Sequence, residues 1–239
     1  MHGDLDLPFF FGADDGLFGM YHAGTPTARR ALLMCPPLGQ DLIRCHRLYR
    51  QLAQALAMQG VSVLRFDYHG TGDAAGSSGE VDWSRCVEDT VTAAAELRGR
   101  AGIDRVVAFG ARLGGSIAMA AAGRAGFTEV IAWDPVLDGG DYVAALDAMQ
   151  AALREDGERF TRPRSHADVA EQWLGFDIGD SLRRQLGALR VATPAVPTLV
   201  LDAQSLGQST PWNDLRRLET AILSQPLIQA VTGRLKEVA

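Results

Sequence analysis

The sequence predicts an α/β fold: a mostly parallel sheet with helices on both faces, opened by a hairpin and interrupted by a helical insertion. Three observations predict it. Apolar runs of strand length alternate with helical patterns as far as Pro135. Those runs are continuous, not alternating, as strands buried on both faces must be. The 239 residues, 47% hydrophobic and 22% charged, suffice for one substantial core and are short for two.

Each element follows in order. Leu7–Phe11 and Leu17–His22 flank the Gly12-Ala13-Asp14-Asp15-Gly16 turn and read as an antiparallel hairpin. Ala31–Cys35 is a buried strand that stops at Pro36-Pro37. Leu42–Met58 carries Leu48, Leu52 and Leu56 at helical spacing. Val61–Phe66 is the next strand, followed by a Gly-rich loop over 67–79. Trp83–Arg98 is a helix, Arg105–Phe109 a strand, Leu113–Arg124 a helix and Val130–Trp133 a strand. Leu137–Leu189 then reads as mostly helical, charged and without a strand, a cap over the end of the sheet. Pro197–Leu201 resumes the sheet, Trp212–Leu223 is a helix and Leu227–Val231 a last strand. Residues 1–136 and 191–239 form the core in this reading, and 137–190 the cap insertion.

Composition excludes several function classes. A formal net charge of −6 argues against a nucleic-acid or membrane-surface binder. No apolar run is long enough to span a bilayer. The start, Met1-His2-Gly3-Asp4, is acidic where an export signal is basic. Cys35, Cys45 and Cys86 have no metal-binding spacing and fit a reducing, cytoplasmic setting. No zinc spacing, phosphate-cradling loop or dinucleotide fingerprint is present, so no cofactor is expected.

The most informative segment is Val106–Ala118: a strand, then Gly110-Ala111-Arg112-Leu113-Gly114, then an Ala-rich helix. Small residues framing one side chain at a strand-to-helix turn are the mark of a nucleophile elbow, which lifts that side chain to the end of the sheet. The side chain in this position is Arg112.

With Cys35-Pro36-Pro37-Leu38-Gly39, Arg44-Cys45-His46-Arg47 and Phe66-Asp67-Tyr68-His69-Gly70-Thr71-Gly72-Asp73, this elbow resembles the α/β-hydrolase superfamily. The resemblance is to its serine-peptidase-like branch, which includes hydrolases associated with exosortase systems. It runs from about Ala31 to Pro135 and more weakly through the cap. It implies an α/β-hydrolase fold in which a serine normally stands at the elbow, an acid follows a late strand and a histidine follows the last one. Here Asp202 sits immediately at a strand end, Asp214 belongs to the following segment, and no histidine follows His166. Against that pattern the chain looks shortened at the C-terminus, where the final helix and catalytic histidine are expected. A Ser-His-Asp mechanism needs nucleophile, base and orienting acid together, so conventional serine hydrolysis is not expected.

An arginine at the elbow suggests other chemistry. The resemblance implies that the Leu38-Gly39-Gln40 loop and Leu113 supply the backbone amides that would hold an oxyanion. A guanidinium beside a helix N-terminus favours a carboxylate, phosphate or sulfate. The alternative is that Arg112 pairs with Asp134 or Asp73 and plugs the pocket. His69, on a loop after a strand, could act as an acid or base, or be structural. His46 and Arg47 could hold a negative group or brace their helix. Asp73 is expected to fix its turn through backbone hydrogen bonds. Ser116 lies one turn beyond Arg112 without an evident base, and Cys35 reads as a small core residue. Three functional readings follow: a hydrolase scaffold repurposed to bind a small anionic or acyl molecule and catalyse a non-hydrolytic step, a non-catalytic subunit of a hetero-oligomer or homodimer, and an unconventional esterase or thioesterase.

Overall fold

In strand β3 (Ala31–Cys35) every residue is buried, and alternate side chains enter two separate cores. The computed structural model describes residues 6–25, 29–156 and 171–237 of the chain. Its sheet begins with β1 (Asp6–Phe11) and β2 (Leu17–His22), an antiparallel hairpin with Gly12 at φ +80° in the turn. Strands β4 (Ser62–Asp67), β5 (Val106–Ala111), β6 (Glu129–Trp133) and β9 (Thr198–Leu201) complete it with β3, in the order β1-β2-β4-β3-β5-β6-β9. From β4 to β9 neighbouring strands run parallel. One core joins Leu33 and Cys35 to helices α2 (Trp83–Ala101) and α3 (Leu113–Ala125). The other joins Leu32 and Met34 to α1 (Gln40–Met58) and a C-terminal helix. The continuous apolar runs are therefore strands covered on both faces, as expected.

Three readings of the sequence are corrected. Leu227–Val231 is not a strand: it lies within the helix α7 (Gln225–Glu237). Pro226 stands in the first turn, where its missing N–H is not needed, and Ser224 Oγ accepts from the Leu227 N–H at 3.2 Å. Leu227, Val231 and Leu235 then form one buried face at helical spacing against the sheet. The final helix that looked missing from the sequence thus exists, and it covers this face of the sheet.

Trp212–Leu223 is not a helix apart from a short 3-10 turn at Leu215–Arg217. Its backbone is taken up elsewhere. Arg44 of α1 donates to the carbonyls of Pro211 (2.7 Å), Trp212 (2.8 Å) and Thr220 (3.5 Å), and the Ile222 N–H donates to the Arg44 carbonyl (2.9 Å). The segment runs as a strap across the end of α1.

The stretch expected to be strand-free contains a ribbon of β7 (Gln172–Trp173) and β8 (Phe176–Asp177) between helices α4 (Gly139–Glu155) and α5 (Asp180–Gly187). Its two-residue turn places both Leu174 (φ +54°) and Gly175 (φ +94°) in the left-handed region. Leucine is an unusual choice there, and the Leu174 N–H is held by Gln150 Oε1 at 2.7 Å. The helical reading of 157–170, the N-terminal residues 1–5 and His166 lie outside the described residues. Among the described residues no helix is long and apolar enough to cross a membrane.

Candidate functional site

The turn between β5 and α3 is built by steric exclusion. A Cβ at Gly110 would overlap the backbone of Gly114, and one at Gly114 would overlap the Cys35 carbonyl and lie 2.6 Å from the Pro36 oxygen. Only glycines let α3 start this close to its own strand and to the end of β3. Between them Arg112 adopts φ 51°, ψ −127°, outside the regions open to most side chains. Its N–H donates to the Trp133 carbonyl (2.9 Å), and the Tyr49 hydroxyl bridges the Ala111 N–H (2.8 Å) and the Cys35 carbonyl (2.9 Å). Such backbone strain costs on the order of 1–3 kcal/mol and persists where the surroundings over-determine it.

The Arg112 side chain projects into a cleft with an empty volume of about 550 Å³, including the part open to solvent. The side chain is 15% exposed. Its guanidinium carbon lies 5.4 Å from the Tyr142 ring centroid and 5.2 Å from that of Trp212, so two aromatic faces hold the cation. Nε makes a long contact of 3.5 Å with Asp41 Oδ2. Neither Nη group donates a hydrogen bond among the described residues. Asp41 sits in the first turn of α1 and its other oxygen is 3.9 Å from Arg44 Nη1. Burial pushes the Asp41 carboxyl above the usual carboxylate range, against the pull of Arg112 and Arg44. The remaining wall is largely apolar and includes Leu146, Met149, Trp173 and Leu186.

The alternative reading paired Arg112 with Asp134 or Asp73; the carboxylate beside it is Asp41. Asp134 accepts from Trp212 Nε1 at 2.7 Å, and so positions the ring that faces Arg112. Asp73 is exposed, and the loop is fixed the other way round: its N–H donates to Asp67 Oδ2 at 3.0 Å.

Leu38, Gly39, Gln40 and Leu113 line the Arg112 cleft. Gln40 also spends its amide on the Leu218 carbonyl (2.7 Å). Helix geometry leaves the Leu113 N–H without an intrahelical acceptor. His69, His46 and Arg47 do not line the cleft. The His69 N–H donates to Asp89 Oδ2 (3.0 Å) and its ring covers Gly76. His46 lines a separate cavity beside β2 and β4, and Arg47 is exposed. Ser116 is buried and donates to the Val136 carbonyl at 2.7 Å. Burial raises the Cys35 thiol to about 12, in keeping with a core residue. Asp202 caps α6 (Ala203–Leu206) and Asp214 caps the 3-10 turn.

Asp41, Arg44, Tyr142 and Trp212 were missed. The first two could have been found. On a helix beginning at Gln40, positions 41, 44 and 48 share one face, whereas 46 and 47 point away from it. Tyr142 and Trp212 reach the site only through the packing of distant segments.

Residues 42–172, more than half of the chain, match the family model of the serine aminopeptidases, S33. The chain belongs to the serine aminopeptidase S33 family. Its fold is the α/β-hydrolase fold of that family, with Arg112 at the strand-to-helix turn. Est1E from Butyrivibrio proteoclasticus, solved with ferulic acid, is 16% identical, with 96% of this chain and 97% of that one covered at a TM-score of 0.60. The esterase from Exiguobacterium antarcticum is 14% identical, with 96% and 100% covered at 0.54. These likenesses show the fold alone. The chain spans 64% of the length of an α/β serine hydrolase without lid from Xanthomonas campestris, at 20% identity and a TM-score of 0.48. No curated protein sequence matches significantly.

Proposed function

We propose that this S33-family chain does not use a Ser-His-Asp triad and is repurposed to bind a small anionic or acyl substrate at Arg112. One observation carries the reading: the side chains charged at neutral pH that line the cleft are two arginines and one aspartate, an excess of positive charge in largely apolar surroundings. A partly buried cation without a full counter-charge favours an anionic ligand. Arg44 already serves three carbonyls, so Arg112 is the free fork. The Leu113 N–H at the start of α3, with the Leu38-Gly39 loop opposite, adds dipolar support for negative charge. Such a site stabilises charge that develops on a leaving group or an enolate, which suits an elimination, an intramolecular substitution or a group transfer in a biosynthetic sequence.

The test is direct. Titrating a short carboxylate while following the fluorescence of Trp212 should give saturable binding. Arg112→Ala should weaken it by about a hundredfold or more, the scale of a lost charged partner, with the circular dichroism spectrum unchanged. Equal binding by the variant would sink the proposal.

The electrostatics of Asp41 supply a second test. Its raised pKa means that protonating Asp41 favours the fold. That contribution is full below the ordinary carboxylate value and is lost as pH rises through the raised one. On acidification Asp41 becomes neutral and Arg112 loses its internal counter-charge. Affinity for a permanently charged anion, such as a short alkanesulfonate, should therefore rise as pH falls from about 7 to about 4. Asp41→Asn should bind tightly throughout and lose the pH dependence. Affinity that falls with acidification would contradict the assignment.

A further inference from the structure

The Arg112 cleft does not end at Leu38. A second cavity, with an empty volume of about 670 Å³ including the part open to solvent, shares Leu38, Gly39, Ile178 and Leu182 with it as a common wall. Beyond that wall it is lined by Leu42, Val81 and Phe176 and reaches the turn that contains Ser78. Positive charge is confined to the Arg112 end; the second cavity has no arginine or lysine among its lining residues, and its one charged side chain, Asp177, disfavours an anionic group there. We propose that the ligand is a monocarboxylate with an extended apolar tail, its carboxylate on Arg112 and its tail passing Leu38 and Ile178 into the second cavity. This rests on the anion-binding role of Arg112 given above and adds the class of molecule.

Two features of the head group select a carboxylate over a phosphate. Two arginines and one aspartate line the cleft, a balance that a single negative charge matches better than a dianion. A planar carboxylate also matches the guanidinium fork in geometry. For the tail, the apolar side of the slot, Leu38, Leu42, Val81, Phe176, Ile178 and Leu182, offers water no hydrogen-bonding partners, and methylenes gain by leaving solvent there, while Thr71, Ser78 and Asp177 stand among its other lining residues. Gly39 stands at the junction with φ +59°, and a Cβ there would meet nothing nearer than Phe176 at 4.0 Å, so the loop itself presents no side chain between the two cavities. The β7–β8 ribbon supplies Phe176 and is followed directly by Ile178. The ribbon thus has a role in tail recognition.

The experiment is a series of linear carboxylates from butyrate to decanoate, kept below micelle formation, titrated against the whole protein by calorimetry. Each buried methylene should tighten binding by up to about fourfold, giving a decanoate-to-butyrate affinity ratio on the order of a hundredfold or more. Two variants narrow the route from different sides: Ile178→Trp at the shared wall and Ser78→Trp at the far end. Both positions are partly exposed, and circular dichroism checks that each variant folds. In both, the ratio should collapse towards one. A wild-type ratio near one with binding still dependent on Arg112 overturns the tail route and leaves the anion site standing. A steep ratio untouched by either variant also overturns the route. Absence of binding by every chain length, or binding indifferent to Arg112→Ala, overturns both proposals together.

Discussion

Arg44→Met is expected to lower folding stability by about 3–5 kcal/mol, the cost of breaking a buried charged network from one side. Arg44 is 2% exposed and ties three carbonyls of the strap to α1. Methionine preserves length and apolar contact and supplies no donor. The Pro211, Trp212 and Thr220 carbonyls lose this partner, and Asp41 keeps only its long contact with Arg112. Urea denaturation should show a lower midpoint with an unchanged slope. Trp212 should also leave the Arg112 guanidinium, so the loss of stability should come with weaker anion binding. Arg44→Lys keeps the charge but cannot span three acceptors in one fork, and it should recover only part of both effects. A variant within about 1 kcal/mol of the parent, less than the cost of one buried unpaired group, would mean that the strap is held by other contacts.

Gly114→Ala is expected to destabilise by roughly 3 kcal/mol or more, at the upper end of overpacking effects. The added methyl meets backbone of Cys35 and Pro36 rather than a side chain that could swing aside. To relieve it, α3 must move away from the end of β3, and the turn carrying Arg112 must open. Gly123→Ala is the matched control in the same helix: a Cβ there meets nothing within 4 Å. It should stabilise by about 0.5–1 kcal/mol through helix propensity alone. Thermal denaturation of the pair separates the two causes. If both substitutions behave alike, close approach is not what the elbow glycine provides.

The elements up to β6 were legible because their signals are local. A strand buried on both faces needs a continuous apolar run, and Ala31–Cys35 and Val106–Ala111 are such runs. The elbow was legible because a sharp turn packed against β3 excludes side chains at Gly110 and Gly114. Legibility failed where a local pattern competed with distant bonding. Trp212–Leu223 looks helical in isolation, but its carbonyls bond to Arg44 instead of to their own i+4 amides. Leu227–Val231 is too short a window to separate the two periods; extended to Leu235, the spacing is helical. The Leu174-Gly175 turn carries no asparagine or aspartate to announce it.

The sequence by itself determined the fold class, the positions along the chain of the strands through β6 and the presence of Arg112 at the turn between β5 and α3. These follow from burial and steric exclusion among near neighbours. Only the tertiary structure decided what surrounds that arginine. Asp41 meets it across 71 residues, and Arg44 holds the strap that delivers Trp212 across 168. Which charges meet at such separations depends on sheet order and on how far each crossover carries the chain, and no periodicity in the sequence encodes either. The physical consequence is concrete: Asp41 is the one carboxylate that lines the cleft beside two arginines, and neither Asp134 nor Asp73, the partners named in the alternative reading, pairs with Arg112.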